Sequence, residues 1–292
     1  MTFSKSLSEA LAKAKLDATT LENLIRVAIA EDLTGANDVT SVATIPEEQS
    51  AVAEFSSRKP GVIAGIPVVC AVLEICGVTD YEIKINDGDI VSDNSLLLIA
   101  RGSTRALLLA ERSALNFIGR LSGIATLTKS WVDEVADTQV AIRDTRKTTP
   151  GLRELEKYAV RMGGGMNHRF SLSDAALIKD NHVLAAGGVA QAFKLVKAKF
   201  PNLPLEVEVD SLQQLREVVE AGADLVLLDN MSIEECRAAV EIVSGRAKLE
   251  ASGGLILSNA RAYAKTGVDY LAVGALTHSA PVLDIGLDLR ME

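Results

Sequence analysis

The chain has few aromatic residues, few cysteines and few prolines for its length. Of 292 residues, 4% are aromatic, 3 are cysteines and 7 are prolines. The cysteines Cys70, Cys76 and Cys236 are odd in number and lack metal-ligand spacing, which argues against a disulfide framework and indicates buried thiols in a reducing compartment. Because 48% of the residues are hydrophobic and most of those are aliphatic, the composition favours close-packed α/β layers over a disordered chain.

A long apolar run is also missing. A membrane helix needs about 20 mostly apolar residues, whereas the most hydrophobic segment, residues 60–78, is interrupted by prolines, glycines and a glutamate. This segment is therefore predicted to form buried sheet and helix. The N-terminus lacks the apolar core of a signal peptide, so we expect a cytoplasmic protein with no membrane contact.

Positive charge is scarce overall but locally concentrated. The net charge is −9 and the pI is about 5, and such an acidic chain without basic–aromatic stripes argues against nucleic-acid binding. Residues 143–182, however, contain eight Lys and Arg against five Asp and Glu, so this segment is +3 and the rest of the chain is −12. We interpret the segment as the binding site of a small anion.

The alternative for this segment is a solvated basic helix, which residues 153–161 on their own would fit. The other cations lie beside turn residues: Arg146 and Lys147 precede Thr-Thr-Pro-Gly, and His168 and Arg169 follow three glycines closely. Cations on loops held by a scaffold more often contact a ligand than serve as surface charges without a binding role. Their placement therefore favours the binding site.

The N-terminal part of the chain alternates helical and strand patterns. Apolar spacing predicts amphipathic helices over 6–15 and 20–30, and strands over 50–58, 81–85 and 90–100. A hairpin-rich segment of this kind could indicate a carrier domain for a covalent cofactor. Such domains need a lysine at a turn tip, and the tips here carry Asp, Asn, Gly and Ser, which disfavours that interpretation.

Helical periodicity then extends over residues 104–135. Two glycines, Gly119 and Gly123, predict a division of this segment into two helices. Within it, spacing alone favours a surface ion pair between Arg112 and Glu111 or another neighbour.

Short apolar runs follow at intervals of roughly 20–25 residues, separated by helical stretches, and they occupy residues 139–145, 174–181, 205–210, 224–230, 247–254 and 269–274. This alternation predicts parallel strands joined by helices. Each run ends in a polar residue or glycine, and α/β barrels have their active sites at these strand ends. The chain is long enough for one such barrel or for two domains.

Carboxylates follow the predicted strands. Glu206, Glu208 and Asp210 alternate, so they are predicted to share one face, and Asp229 ends the next run. Carboxylates at the ends of adjacent parallel strands suit Mg²⁺, which prefers oxygen ligands and often shares them with a substrate phosphate. The alternative is that these carboxylates form ion pairs with Lys179 or with the arginine at position 146. The two interpretations are compatible.

Glycine-rich turns follow the last two predicted strands, at residues 252–254 and 274–275. Such turns let backbone N–H groups approach an anion, and barrels commonly bind phosphate after their last two strands. Ordinary tight βα turns are the alternative. Lys147 or Lys179 could in principle form a Schiff base, although each lies among other charged residues, which suits charge pairing equally well.

Ordered motifs closely resemble those of the quinolinate phosphoribosyltransferase family: ERSALNF (111–117), DTRKTTPGLRELEKYAVRMGGGMNHR (144–169), LIKDNH (177–182), EVEVD (206–210), LLDNM (227–231), EASGG (250–254) and VGALTHSAP (273–281). The resemblance implies transfer of phosphoribosyl from phosphoribosyl pyrophosphate to quinolinate. The products would be nicotinate mononucleotide, CO₂ and pyrophosphate, in de novo NAD biosynthesis.

The resemblance also implies an α/β fold with two domains, of the type II phosphoribosyltransferase kind. Residues 1–115 would form an N-terminal α/β sandwich, on which the tail 277–292 packs back. Residues 116–276 would form an incompletely closed α/β barrel of parallel strands. The family works as homodimers or assemblies of dimers, with Arg112 matching an arginine that enters the neighbour's site, which reverses the surface interpretation of that residue.

The site residues that the resemblance implies form three groups. Lys147, Lys179, Glu208 and Asp229 would be catalytic, and Glu208 and Asp229 would also hold Mg²⁺, directly or through substrate or water. Substrate binding would further involve Arg112, Thr145, Arg146, His168 and Arg169. The 5-phosphate would bind at Ser252, Gly253, Gly254, Val273, Gly274 and Ala275.

Three other functions remain open from the residues. One is a related pyrophosphorylase that acts on another aromatic acid. The second is a Schiff-base lyase acting on a phosphorylated sugar, which borohydride would trap with its substrate. The third is a phosphosugar-binding protein without catalytic activity, which would release no pyrophosphate from the two substrates.

Overall fold

A computed structural model describes residues 3–291 of the protein. Its helices are α1 (Lys5–Ala14), α2 (Ala18–Leu33), α3 (Val39–Thr44), α4 (Ile66–Ile75), α5 (Thr104–Glu134), α6 (Arg153–Met162), α7 (Asp180–Ala186), α8 (Val189–Lys199), α9 (Leu212–Glu220), α10 (Ile233–Val243), α11 (Leu257–Ala264) and α12 (Ala275–His278). None of the helices in this part of the chain is long and apolar enough to cross a membrane.

The strands are β1 (Ser50–Ser57), β2 (Gly61–Val62), β3 (Asp80–Ile83), β4 (Ile90–Val91), β5 (Leu96–Ser103), β6 (Ala141–Arg143), β7 (Ala176–Ile178), β8 (Leu205–Val209), β9 (Leu225–Asp229), β10 (Lys248–Ser252), β11 (Tyr270–Ala272) and β12 (Ile285–Met291).

Contacts divide the chain into two compact units. Unit 1 comprises residues 1–127, 149–164 and 280–292, and unit 2 comprises residues 128–148 and 165–279. The division falls inside α5, whereas the sequence analysis placed its domain boundary at residue 115. Unit 1 also includes α6, which the sequence analysis assigned to the barrel domain.

Unit 1 is built on an antiparallel four-stranded sheet with the order β12-β1-β5-β3. The chain's last strand, β12, pairs with β1 over its whole length, from Ser57–Ile285 to Ala51–Met291. Alternate side chains of β1 enter the core, where Ala51, Ala53 and Phe55 are fully buried. The hydrophobic segment 60–78 forms β2 and the buried helix α4, as its interrupted pattern predicts.

The predicted division of residues 104–135 into two helices is wrong, because α5 is one continuous helix of 31 residues. Its glycines serve close packing within unit 1. A Cβ at Gly123 would lie 2.0 Å from the carbonyl oxygen of Pro281, and one at Gly119 would lie 2.9 Å from a methyl group of Val282. The C-terminal segment therefore packs directly on the helix backbone at these two positions.

The interpretation of residues 153–161 as a solvated basic helix is also wrong. Helix α6 buries most of its surface in unit 1, and Glu156 and Lys157 are completely buried. Tyr158 donates a hydrogen bond of 2.5 Å to Asp87 Oδ2, and Asp87 also accepts the N–H groups of Gly65 and Ile66 at the start of α4. Burial is the main cause of the raised pKa of Asp87, which the three hydrogen bonds oppose.

Unit 2 is built on a six-stranded sheet with the order β6-β11-β10-β9-β8-β7, and all its pairings are parallel. Each of the six apolar runs identified in the sequence contains one of these strands. The edge strands β6 and β7 do not pair with each other among the described residues, so the barrel is not closed. Because the strands are parallel, their carboxyl ends lie at one edge of the sheet. The predicted site residues that end or directly follow the strands therefore lie at this edge.

Candidate active site

A cavity of about 280 Å³ lies at the carboxyl ends of the strands of unit 2. It brings together nine residues that the sequence analysis assigned to the site: Thr145, Arg146, Lys147, His168, Arg169, Lys179, Glu208, Asp229 and Ser252. The remaining lining residues are Leu177, Leu227, Glu250 and Ala272. Most of these residues belong to the six strands or follow their ends directly, which explains why segments far apart in sequence meet here.

Two arginines face the same region of the cavity. Burial is the main cause of a lowered pKa at Arg169, and the neighbouring charge of Arg146 lowers this pKa further. Arg169 donates one hydrogen bond of 3.1 Å to the carbonyl of Ala175. The buried Nε of Arg146 has no hydrogen-bond partner in the described chain. Two adjacent guanidinium groups, one of them with an unpaired Nε, are suited to a ligand with neighbouring carboxylates.

Besides Glu250 on β10, two carboxylates line the cavity, and they lie on β8 and β9. Lys179 Nζ contacts Glu208 Oε2 at 2.6 Å, so the ion pair considered as an alternative to metal binding does form. Asp229 ends β9 and accepts a hydrogen bond of 2.8 Å from the side chain of Asn230. The expected set of three carboxylates on one face is only partly present, because Asp210 lies beyond the end of β8 and is exposed.

A buried ionisable cluster borders the cavity; the sequence analysis named its members His168 and Glu206 but missed Arg143 and Glu250 as site residues. His168 Nε2 lies 2.6 Å from Glu206 Oε2 and 3.5 Å from Glu250 Oε1, and Arg143 contacts Glu250 Oε2. The backbone N–H of Arg169 donates to His168 Nδ1 at 2.7 Å, which assigns the ring proton to Nε2 and makes Glu206 its acceptor. The sequence signals for Glu250 were its place in the EASGG motif and its alternation with Ser252, whose face of β10 it shares.

Burial raises the pKa of Glu250 to about 7, and the nearby charge of Glu206 raises it further, while the Arg143 guanidinium opposes both effects. His168, Glu206 and Glu250 also offer three potential metal ligands within 4.8 Å of one another. This cluster is distinct from Glu208 and Asp229, the two residues that the resemblance assigns to Mg²⁺.

The glycine-rich turns lie after β10 and β11. Gly253 and Gly254 both have positive φ angles, 87° and 63°, and a Cβ at Gly253 would lie 2.1 Å from Asn230 Oδ1. A Cβ at Gly274 would approach the Lys147 side chain to 3.0 Å. The turn after β10 therefore needs glycine for its own backbone geometry, whereas Gly274 is crowded only by movable side chains. Ser252 is the one residue of the predicted phosphate group that lines the cavity; Val273 is buried and Ala275 begins α12.

Arg112 belongs to unit 1 and does not line this cavity. It lies on α5, where its side chain is exposed. Among residues 3–291 it has no salt-bridge partner, so the surface pair with Glu111 that spacing alone favoured does not form in this chain.

Comparison with known proteins identifies the family. The family model "Quinolinate phosphoribosyl transferase, N-terminal domain" matches residues 38–122, and the model of the C-terminal domain matches residues 124–288. The chain is 50% identical over 285 residues to nicotinate-nucleotide pyrophosphorylase (carboxylating) of Mycobacterium leprae, covering 96% of this chain and 100% of that protein. It is 41% identical to a probable nicotinate-nucleotide pyrophosphorylase (carboxylating) of Bacillus subtilis, over 93% and 94% of the two chains.

A comparison with solved structures gives the same family. The crystal structure of NadC from Streptococcus pyogenes is similar with a TM-score of 0.90 and 38% identity, over 95% of this chain and 99% of that chain. The similarity extends over both units. The chain belongs to the quinolinate phosphoribosyl transferase family.

Proposed function

We propose that this protein transfers the phosphoribosyl group of phosphoribosyl pyrophosphate to quinolinate, with loss of CO₂ and pyrophosphate, to give nicotinate mononucleotide for NAD biosynthesis. The observation that carries this proposal is the arrangement of the cavity. Arg146, whose Nε is unpaired, and Arg169 line the cavity together, while Glu208 and Asp229 lie on neighbouring strands of the same cavity. The relatives from Mycobacterium leprae and Bacillus subtilis are named as a nicotinate-nucleotide pyrophosphorylase (carboxylating) and a probable one, and their similarity extends over nearly the whole chain.

The cations suit the pyridine dicarboxylate. Quinolinate has two adjacent carboxylates, and an arginine binds a carboxylate through two parallel hydrogen bonds. We assign this role to Arg146 and Arg169, with Thr145, His168 and Lys179 completing the pocket. Lys147 and Lys179 would contact pyrophosphate oxygens. The turns at residues 252–254 and 273–275 would bind the 5-phosphate through backbone N–H groups.

The two cavity carboxylates fit a magnesium ion. Glu208 and Asp229 offer oxygen donors on adjacent strands, and their protein partners are a flexible lysine and an amide, both of which a cation could displace. Bound there, Mg²⁺ would neutralise charge on the pyrophosphate leaving group. We assign to Glu208 and Asp229 the holding of Mg²⁺ and of the ribose hydroxyls.

Electrostatic stabilisation and positioning account for the reaction itself. Formation of the C–N bond passes through a cationic, oxocarbenium-like state, which the carboxylates of the cavity stabilise electrostatically. The paired arginines hold the ring nitrogen in line with the anomeric carbon, so positioning supplies much of the rate. No residue becomes covalently attached. Decarboxylation follows because the positive charge of the quaternised ring nitrogen stabilises the electron pair that stays on the adjacent ring carbon when the C–C bond breaks, and a proton from water then takes the place of the lost CO₂.

We also propose that the protein acts as a homodimer in which Arg112 enters the partner's site. Its exposure, without an ion pair among residues 3–291, supports this role. We further assign the reaction to the cytoplasm, a reducing compartment, which suits the three free cysteines. Nucleic acid and membranes are not expected partners.

The decisive assay measures release of labelled CO₂ from carboxyl-labelled quinolinate. Release should require both phosphoribosyl pyrophosphate and Mg²⁺, and pyrophosphate should form in equal amount. Borohydride added with the substrates should leave the protein mass unchanged, because no Schiff base forms. Absence of CO₂ release under these conditions, or trapping of a covalent adduct, would contradict the proposed function.

Asp229→Asn tests the role of the carboxylates in particular. The variant keeps the size of the side chain but loses its charge, so we expect turnover to fall by on the order of 10²-fold or more, while quinolinate binding without the second substrate changes little. Asp224→Asn is the control, because Asp224 is exposed and precedes the opposite end of the same strand. A collapse of quinolinate affinity in Asp229→Asn would instead place this residue in the pyridine pocket.

A further inference from the structure

The loop that carries Arg146 and Lys147 is fixed at its far end by one buried carboxylate. Thr149 donates two hydrogen bonds to Glu156: its backbone N–H to Oε2 at 3.1 Å and its hydroxyl to Oε1 at 2.8 Å. Glu156 lies in α6 and its side chain is 0% exposed. The side chain of Arg146 is half-buried and that of Lys147 is exposed. Their positions therefore depend on how the loop backbone is held.

Glu156 is in turn fixed to α5. Arg120 donates to Glu156 Oε1 from Nε at 3.2 Å and from Nη2 at 2.8 Å. The same guanidinium donates to the carbonyl of Ala280 at 3.3 Å. A buried carboxylate that accepts four hydrogen bonds, two of them from a guanidinium, is rigid because any movement leaves a buried charge without its partners.

The other end of the short segment is fixed within unit 2. The buried hydroxyl of Thr277 donates to the carbonyl of Lys147 at 2.8 Å. Between the two anchors, the N–H of Thr148 donates to the carbonyl of Arg146 at 3.0 Å. Within unit 2 the carbonyl of Lys147 is therefore held by a hydroxyl, and within unit 1 Thr149, two residues further along the chain, is held by the Glu156 carboxylate.

We propose that Glu156, together with Arg120, is a positioning residue for the reaction: it holds Thr149 and thereby fixes the loop from which Arg146 and Lys147 meet the anionic substrates. The identity of those substrates rests on the proposed function. A paired arginine–carboxylate contact depends on the direction of the guanidinium plane, so small displacements of the loop weaken it. Glu156 itself touches no substrate; it acts only through Thr149.

The first experiment compares Glu156→Gln with Glu154→Gln, a matched change at a second glutamate of α6. Glu154 also accepts a backbone N–H, that of Asp17 at 2.8 Å, but it does not contact the loop. Glutamine keeps the shape of Glu156 and loses the charge and one acceptor. We expect the quinolinate Kd, measured by calorimetry without the second substrate, to rise and kcat/KM to fall by about 10- to 100-fold, whereas Glu154→Gln behaves like wild type.

The wild-type protein must first release CO₂ in the assay above, which separates failure of this proposal from failure of the proposed function. If wild type is active and folded Glu156→Gln has wild-type Kd and kcat/KM, the positioning role is overturned. A lowered Tm with unchanged kinetics of the folded protein overturns it equally, because that result describes a purely structural residue.

Thr149 supplies a second test that does not depend on the stability of Glu156→Gln. Thr149→Val removes the hydroxyl with little change of shape, and Thr149→Ser restores it. We expect Val to raise the quinolinate Kd and Ser to return it to near the wild-type value. The double variant Glu156→Gln/Thr149→Val should lose less than the product of the single losses, because both act through one contact. Independent, multiplicative losses, or a valine variant with wild-type affinity, would refute the proposal.

Discussion

Arg146 and Arg169 lie close enough for the charge of one to lower the pKa of the other. Two like charges beside each other in a partly buried cavity are unfavourable until an anion binds. The arrangement therefore favours a ligand with more than one negative group. A lysine would keep the charge at either position but would lose the planar pair of donors.

Arg146→Lys and Arg169→Lys should consequently both impair quinolinate use. A lost charge-assisted hydrogen bond that leaves a partner unsatisfied costs roughly 1–3 kcal/mol, which is about 5- to 150-fold in kcat/KM for quinolinate. Arg216→Lys, an exposed position on α9, is the control and should match wild type. Steady-state kinetics at saturating phosphoribosyl pyrophosphate measure the effect, and near-normal values in both variants would exclude the assignment.

Glu250 makes the stability of the folded protein depend on pH. Its folded-state pKa is raised to about 7 by burial and by Glu206, so the folded protein binds a proton that the unfolded chain releases at lower pH. The stability from this proton is fully present below the unfolded pKa and is lost as pH rises through about 7. Arg143 limits the loss, because the ionised carboxylate keeps its guanidinium partner.

Glu250→Gln should remove this dependence, because glutamine does not titrate. The stability of wild type minus that of the variant, from urea unfolding, should decrease as pH rises from about 5 to about 8. The equivalent change at Glu241, an exposed glutamate of α10, should give a difference that does not vary over this range. A constant difference for Glu250→Gln would show that the carboxyl is ionised throughout.

At the scale of elements, α5 shows that a glycine in a helical pattern can signal packing rather than a break. The helix continues through Gly119 and Gly123, and the segment around Pro281 and Val282 packs on its backbone. Leu283 also donates its N–H to the carbonyl of Gly119 at 3.0 Å. A side chain at either position would displace that segment.

Gly123→Ala should therefore destabilise the protein despite the higher helix propensity of alanine, which by itself would add about 1 kcal/mol. The new Cβ would lie 2.0 Å from backbone atoms that cannot rotate away, and overpacking of this kind costs typically about 1–3 kcal/mol. Gly119→Ala, with a nearest contact of 2.9 Å to a side chain, should lose less. Urea midpoints would show the order; a stabilised Gly123→Ala protein would contradict the packing argument.

At the scale of the whole molecule, we propose a site that draws on more than one chain. Arg112 lies on α5 in unit 1, and its side chain is exposed without an ion pair in the described residues. In a symmetric dimer the two copies of one surface exchange equivalent residues. One arginine supplied by each partner would make both sites depend on assembly.

Subunit mixing tests this dependence. Arg112→Ala and Asp229→Asn should each be nearly inactive as homodimers. After mixing and re-annealing, about half of the dimers are mixed, each with one intact site of two, so activity should return to roughly a quarter of wild type. If Arg112 acted within its own chain, every site would retain one lesion. An inactive mixture with proven subunit exchange would therefore argue against the shared site.

Much of the fold followed from local pattern. Six apolar runs predicted six parallel strands, and the polar residues that end them predicted which side chains meet in the cavity. Strand periodicity and turn residues are local properties of sequence, so they can be interpreted without knowing what packs against them. The burial of Glu156 and Lys157 could not be predicted in this way, because the charged amino-acid sequence of α6 by itself is typical of a solvated helix.

The sequence by itself determined the class of the fold, the positions of the strand ends and the residues Arg146, Lys179, Glu208 and Asp229 that follow or occupy them. Only the tertiary structure decided which polar groups are buried together. Arg143 and Glu250 are 107 residues apart, and Arg120 and Glu156 are 36 apart. A buried charge is tolerated only where folding brings its partner to it, and pairing over such distances depends on the order of the strands and helices rather than on any local pattern.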